Sequence, residues 1–541
     1  MHGLHGNRDR QMDKGAILKA GCPPAADRAR LAVPDQALSR AHMKVSRAAW
    51  AAKYFAEFDI QSVRRIADSV AAAGFERAAH YADWAVRETG YGVVEHKTAK
   101  NQNCSHALLD YYRETDLVSA QVDAERKLIN IPKPAGVVFA ITPATNPIAT
   151  IYYKAMLAIL SRNAVVFSPH PAARACSVDA VEHLARAAES AGAPSGTLQC
   201  IEQPSVSLVQ EVMASDKINV IMATGGSAMV RAAYSSGNPA LGVGPGNAIA
   251  YVDPSASPDS AARCLVESKS FDNAVLCTNE SVVLTLESNR TSVERALRTA
   301  GAHICNEADT DRLRDYLFAD GSINAEAIGK SAGWIADQAG LRVSPAAKVL
   351  VPVVLKPGQD DLLFKEKLCP VLTLSAAVDF QQAVTFAKHA VSSGAGHSAA
   401  FHGDDHSRLT RFARALPVYR LVVNAPCSQG AAGFATFLPP SFMIGTGYAG
   451  RSSVGENVGP QHLVHWTRIA FGKDVAVNLD AIDLSVPKDD FPAPLNKDAR
   501  AYAHTDVDAN RAPAQVADIS RDELRRLILE ELRCLQAERH D

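Results

Sequence analysis

The chain reads as an α/β protein built from two successive doubly wound parallel sheets. Three observations carry that reading. Strand-length apolar runs alternate with helix-length segments from about residue 136 onward. The turns that follow several of those runs carry small, polar and glycine residues, which is where open α/β sheets bind ligands. A second series of the same kind then runs from about Pro254 to Ala449.

Bulk composition fits this class and excludes several others. A chain of 541 residues exceeds one ordinary core, and its length predicts roughly three domains. Hydrophobic content of 47% with 21% charged residues is that of a soluble globular protein. A net charge of −2 gives no reason to expect nucleic acid or an anionic membrane as a partner. Ten cysteines stand at 22, 104, 176, 200, 264, 277, 305, 369, 427 and 534. No two are spaced as a metal knuckle or a CxxC pair, so free thiols in a reducing compartment and no metal are expected. The N-terminal stretch MHGLHGNRDRQMDKG lacks the apolar stretch of a secretory signal. No uncharged run approaches the ~18 residues of a membrane span. A cytoplasmic location follows.

In order along the chain, residues 1–45 carry Pro23, Pro24 and Pro34 with weak periodicity and read as a loosely ordered leader. Residues 46–100 are helical in pattern, through Ala49, Ala52, Tyr54 and Phe55, then Val63, Ile66, Ala67 and Val70, with few breakers before Gly74. Strands are expected at 136–141, 163–167 and 219–223, with helices at 147–160 and 177–191. The second series has candidate strands at 281–284, 399–402 and 421–424. A cofactor domain over 46–253 and a catalytic domain over 254–450 would accommodate the two series. The composition turns to Pro, Ala, Asp and Asn after Val486, so 486–518 reads as a linker. Residues 519–541 read as an amphipathic helix. Ser520 and Glu523 form a capping box, and Leu524, Leu527, Ile528, Leu532 and Leu535 make one apolar stripe. So short a helix is unstable alone and needs something to bind.

Chemistry concentrates in a few turns. Cys277, in Phe271-Asp272-Asn273-Ala274-Val275-Leu276-Cys277, is a lone thiol among small and amide-bearing residues. A thiolate adds to an aldehyde to give a thiohemiacetal, and hydride loss leaves a thioester. A buried apolar cysteine is the competing reading. The turn Thr142-Pro143-Ala144-Thr145-Asn146-Pro147 places Asn146 to donate to an oxyanion, with Thr142 and Pro143 toward a cofactor; an ordinary turn explains it equally. Ser168-Pro169-His170 ends another strand, and His170 suits a turn residue better than a catalyst. Thr224-Gly225-Gly226, with Met229 on the following helix, would hold a pyrophosphate on helix N–H groups, although two glycines alone are weak evidence. Gly244-Pro245-Gly246 permits close backbone approach to a ligand or thiol, or is a plain loop. Glu366, in Glu366-Lys367-Leu368, would bind a ribose hydroxyl or orient a base; a solvated surface Glu is the alternative. His397, after Gly394-Ala395-Gly396, would reach a thiol or substrate, although a lone His is usually structural.

Together these fragments, with Ala232–Asn247 and Gly455-Glu456-Asn457-Val458-Gly459-Pro460, resemble the CoA-acylating branch of the aldehyde dehydrogenase superfamily, which includes acetaldehyde and propionaldehyde dehydrogenases. The resemblance covers roughly 46–475. It implies the aldehyde dehydrogenase-like fold: two Rossmann-like domains, NAD-binding and catalytic, and a small oligomerisation element with strands near 118–135 and a return segment over 451–485. It implies Cys277 as nucleophile, Asn146 as oxyanion donor, His397 as a base near the thiol, and Glu366 as a cofactor or base-orienting carboxylate. NAD and coenzyme A are the implied cofactor and co-substrate, with NADP left open, and a homo-oligomer is implied. Hydrolytic relatives carry a water-activating Glu in a Glu-Leu-Gly-Gly-Lys segment, whose position corresponds to Gly242 here. Its absence favours acyl transfer to CoA, since general-base help is worth about 10²–10⁴-fold. The tail helix resembles encapsulation peptides that dock cargo on bacterial microcompartment shell proteins, with an oligomer contact as the alternative. Family members often carry Gly-x-Ile-Cys-Ala-Ser-Glu around the cysteine, and Ala274 through Glu280 depart from that pattern. Tyr448 through Arg451 and Trp466 also differ, which leaves the identity of the aldehyde open.

Overall fold

The computed structural model of the chain describes residues 35–355, 361–392, 394 and 396–484. The expected linker at 486–518 and tail helix at 519–541 lie outside the described residues, as do residues 1–34 of the expected leader. The described residues up to 482 form one compact unit.

The leader is shorter than the sequence suggests. A helix spans Asp35–Phe55 and takes in the last part of the stretch expected to be loose. Ala41, Val45, Ala48 and Ala52 recur at helical spacing and are buried against Val137, Phe139 and Val166. The stripe is made mostly of alanine, so it carries little hydropathy contrast, and that hides its periodicity. Helices Ile60–Glu76, Ala78–Thr89 and Val94–Gln102 follow. Gly74 lies under the Tyr152 ring, where a Cβ would stand 3.1 Å from it, so this glycine serves packing and does not end the helix.

Strands β1 (Gln121–Asp123) and β2 (Leu128–Pro134) form an antiparallel pair. The first large sheet comprises β3 (Val137–Ile141), β4 (Ala164–Ser168), β5 (Leu198–Cys200), β6 (Val220–Thr224) and β7 (Ala240–Val243), in the order β5-β4-β3-β6-β7. All its pairs are parallel. The chain starts at central β3, moves out to β5, then returns to the other side of β3, so its topological switch point lies between β3 and β6. The helix Pro147–Leu160 between β3 and β4 is buried nearly all round.

The second sheet comprises β8 (Ala248–Val252), β9 (Glu280–Leu286), β12 (Thr373–Ala377), β13 (Ala399–His402) and β14 (Leu421–Val423), in the order β12-β9-β8-β13-β14, again all parallel. Two short strands, β10 (Ala302–Ile304) and β11 (Val349–Val351), pair beside it. Because β8 pairs with β9 and β13, the second sheet begins at Ala248, ahead of the expected boundary at 254. Gly242 through Asn247 carries the chain from one sheet to the other. Finally β15 (Val464–Ala470) runs antiparallel to β2, with Val464 opposite Pro134, and completes a three-stranded sheet.

These connections fix where chemistry can gather. Gly246, Cys277, His397 and Arg420 each lie one to three residues before β8, β9, β13 and β14 respectively. The second sheet therefore offers the amino ends of four strands to one place.

Candidate active site

Cys277 and His397 meet there. Cys277 Sγ lies 3.2 Å from His397 Nε2, and His397 Nδ1 lies 2.8 Å from Ser398 Oγ. If Nε2 accepts the thiol proton, Nδ1 must carry hydrogen, and Ser398 Oγ stands where it can accept that bond. Gly246 makes the approach possible. A Cβ on it would sit 2.6 Å from the Cys277 carbonyl oxygen and 3.1 Å from His397 Cβ and Cγ. The glycine-rich stretch thus acts as a close-packed strap against the thiol, one of the two readings its sequence allowed.

His397 is buried, and its backbone oxygen accepts from Arg420 Nε at 3.3 Å and Nη2 at 3.0 Å. Arg420 also donates to Gly455 O, Asn457 Oδ1 and Gly445 O, all neutral acceptors. Burial, then the Arg420 charge, hold the imidazole well below its ordinary value, so His397 is a neutral base at pH 7. Burial lowers Arg420 itself to about 10.

The Cys277 side chain keeps some open surface, yet the dense packing around it and the charge of Glu366 push its thiol up to about 12. Glu366 accepts from the Gly246 N–H at 3.2 Å, and burial raises it to about 8. Glu366 is therefore largely protonated at pH 7, which removes much of the charge that opposes the thiolate. It touches the Gly246 strap that packs against Cys277 and His397.

Asn146 precedes the helix Pro147–Leu160 without capping it. Its Nδ2 donates to Val275 O at 3.0 Å and more weakly to Thr145 Oγ1 at 3.3 Å. One amide N–H is thus tied to the segment that carries Cys277, and the other is held only weakly. Among the described residues the Cys277 N–H donates to no backbone oxygen, and its own sulfur is the acceptor it meets.

The approach to Cys277 is a left-handed turn: Asp272, Asn273 and Ala274 have φ of +51°, +50° and +61°. Side chains hold it. Asp272 takes Lys97 Nζ at 3.0 Å, Lys100 Nζ and the Val93 N–H at 2.7 Å, while Asn273 Nδ2 donates to Gly329 O at 2.9 Å. Sequence reasoning missed Lys97, Lys100 and Arg420. Two lysines three apart in a polar helix look like a solvated face, and an Arg before a strand looks like an edge.

Most residues expected to hold a dinucleotide stand at the carboxyl end of the first sheet, whereas Gly246 and Glu366 stand with Cys277. Thr142 Oγ1, after β3, and Thr224 Oγ1, at the end of β6, flank the switch point as buried hydroxyls with no partner among the described residues. A Cβ on Gly226 or Gly244 would meet nothing within 4 Å, and one on Gly225 only Met229. Open backbone beside unsatisfied hydroxyls fits a dinucleotide. Ser168 and Pro169 are buried at the end of β4, where Ser168 O accepts from the Thr142 N–H at 3.1 Å, and Pro143 is half-buried. His170 is exposed and accepts from the Ala172 N–H at 3.1 Å, a local cap.

Gly242 is closed. A Cβ there would stand 2.8 Å from both Tyr234 Cε2 and Val230 Cγ1.

Comparison with known proteins agrees with this geometry. The aldehyde dehydrogenase family profile matches residues 19–469. An acetylating succinate-semialdehyde dehydrogenase of Clostridium kluyveri is 37% identical over 407 residues, 74% of this chain and 89% of that protein. An aldehyde-alcohol dehydrogenase of Clostridium acetobutylicum is 35% identical over 427 residues, 78% of this chain and 49% of its own length. The chain thus spans about half the length of several curated relatives it matches. Among solved structures, an acetylating aldehyde dehydrogenase from Geobacillus thermoglucosidasius superposes with a TM-score of 0.80 at 34% identity, covering 82% of this chain and 98% of that one. A propionaldehyde dehydrogenase of Rhodopseudomonas palustris, solved with bound CoA and an acylated cysteine, gives 0.71 at 26% identity, over 80% and 97%.

Proposed function

This chain belongs to the aldehyde dehydrogenase family, and on that premise we propose that it oxidises a short-chain aldehyde to its acyl-CoA with NAD and coenzyme A. The observation that carries the reading is a thiol–imidazole pair in a site where, among the described residues, no carboxylate is placed to activate water. Gly242 has no room for a side chain, and Glu366 is largely protonated with one oxygen held by Gly246.

The residues act as follows. As the Cys277 sulfur attacks the aldehyde carbon, its proton passes to His397 Nε2, 3.2 Å away. The Arg420 charge disfavours a lasting imidazolium, so His397 passes this proton to solvent before CoA enters and later returns the CoA proton to the departing Cys277 sulfur. The oxyanion is stabilised by the Cys277 N–H and Asn146 Nδ2, donors worth about 10²–10³-fold each in kcat. Thr142, Thr224 and the open glycines would hold a dinucleotide, which would supply the hydride acceptor; hydride loss from the thiohemiacetal leaves the thioester on Cys277. Neutral His397 then accepts the proton of the CoA thiol, whose sulfur attacks the thioester carbonyl; the Cys277 sulfur leaves with that proton. The balance is aldehyde, CoA and NAD⁺ giving acyl-CoA, NADH and a proton. Release by water lacks its general base, a deficit of about 10²–10⁴-fold.

The decisive measurement is NADH formation with and without CoA across C2–C5 aldehydes, with NAD and NADP compared. Strict CoA dependence, lost in Cys277→Ala, is expected; undiminished CoA-free oxidation would reject acyl transfer. The β1-β2-β15 sheet leaves Val122 and Ile469 exposed, which supports homo-oligomer formation, and the Leu524–Leu535 stripe supports docking on a shell protein. Light scattering and co-sedimentation of the full chain and a 1–518 truncation separate the two. Both forms should be oligomeric, and only the full chain should travel with shell.

A further inference from the structure

The helix Val94–Gln102 is polar in composition, yet Lys97, Lys100 and Asn101 are 3%, 1% and 2% exposed. Both lysines converge on one carboxylate oxygen, Asp272 Oδ2. Two buried cations on one anion leave a surplus positive charge, which costs several kcal/mol unless something uses it. No second carboxylate absorbs it among the described residues. The remaining acceptors are Thr145 O, 2.8 Å from Lys97 Nζ, and Asn146 Oδ1, bonded to Lys100 Nζ. These are consecutive residues of the turn ahead of the helix Pro147–Leu160.

We propose that Lys100 is a positioning residue for the oxyanion site, acting through Asn146. A cation on the amide oxygen fixes which end of the amide faces the Cys277 segment. It also draws density from Nδ2, making the N–H groups stronger donors to developing negative charge. Lys97, which also bonds Asp272 Oδ2, keeps the left-handed turn before Cys277 in place when Lys100 is changed. The role rests on the reading of Asn146 as oxyanion donor. The titratable groups that face Lys100 are Asp272, Lys97 and Cys104, with His96 accepting the Asp272 N–H. Burial brings Lys100 down to about 8, so its charge is lost as pH rises through that value.

Lys100→Met, Asn146→Ala and the double variant form the test, each assayed for kcat at saturating substrates and for Cys277 alkylation by iodoacetamide, which needs no oxyanion donor. Lys100→Met should lower kcat at least about tenfold, within the roughly 10²–10³-fold worth of one donor, while alkylation stays within about twofold. In the Asn146→Ala background it should cost nothing further. An unchanged kcat, or an equal loss in both backgrounds, overturns the proposal. If Lys100→Met does not fold, the pH profile decides. The kcat should fall above about 8 in wild type and in Glu366→Gln but not in Asn146→Ala; a fall that vanishes with Glu366, or survives without Asn146, overturns it. CoA dependence is scored separately, so a hydrolytic enzyme would defeat the reaction assigned above while leaving this coupling decided.

Discussion

At Gly242 the backbone N–H and C=O are both held, by Tyr234 Oη at 3.0 Å and Ser452 Oγ at 2.7 Å. A side chain must therefore push Tyr234 and Val230 aside or move β7. Gly242→Glu is expected to lower stability by about 1–3 kcal/mol, as overpacking does, without creating CoA-independent oxidation. Thermal melting and NADH formation without CoA check both halves; a stable variant that releases free acid would show that only the missing carboxylate withholds hydrolysis. At this scale the sequence was informative about residue type and poor about company. Cys277, Asn146, His397 and Glu366 stand out as chemistry-bearing residues at strand ends, and all converge here. Lys100 and Arg420 do not stand out, because burial of a charged side chain is a property of the fold around it. His170, grouped with the cofactor residues, takes the Ala172 N–H on Nδ1 within its own turn.

Among elements, the turn before Cys277 explains a departure that the sequence could only register. Ala274 stands where similar enzymes carry glycine, and its φ is +61° with no exposed surface. A left-handed alanine costs about 1–2 kcal/mol, and a buried methyl returns about 0.8 kcal/mol. Ala274→Gly should therefore leave stability unchanged or raise it by up to about 1 kcal/mol, whereas a β-branched Ala274→Val should lose more than about 2 kcal/mol. Denaturant melts of the two variants test this, and equal losses would mean that the turn relaxes without strain. Longer elements were legible where apolar contrast was strong: the helix at 147–160 and strands β3, β6, β9, β13 and β14 appear close to where they were expected. Three-residue strands such as β5 and β10 have too few side chains to show a period. Strand β8 was read across because the glycine strap merges into it.

The whole molecule carries ionisable groups inside its core, and they give its stability a pH signature. Glu280 is buried, takes hydrogen bonds from Ser268 Oγ and the Cys427 N–H, and is raised by burial to about 7. A carboxyl with a raised folded value holds its proton more tightly folded than unfolded. Its contribution is thus fully present below about 4.5 and is lost as pH rises through about 7. At pH 8 the loss is roughly 3 kcal/mol. Relative to wild type, Glu280→Gln should be no more stable at pH 4.5 and clearly more stable at pH 8; a pH-independent difference in melting temperature would rule this out. The two-sheet plan was legible as two series of alternating runs. The return of β15 to β2 leaves no local mark in the apolar pattern, and only the family resemblance pointed to a return segment over 451–485.

That return has a consequence for synthesis. Strand β2 pairs with β15 only after Val464 has been made, and at about 5–20 residues per second the ribosome leaves that edge waiting for tens of seconds. Its sequence is Leu-Ile-Asn-Ile-Pro-Lys-Pro, so Pro132 and Pro134 offer no N–H to a stray strand and Lys133 keeps the end charged. In the finished protein Pro132 and Pro134 lie opposite Trp466 and Val464. In the nascent chain the same two rings guard a half-built sheet against the wrong neighbour.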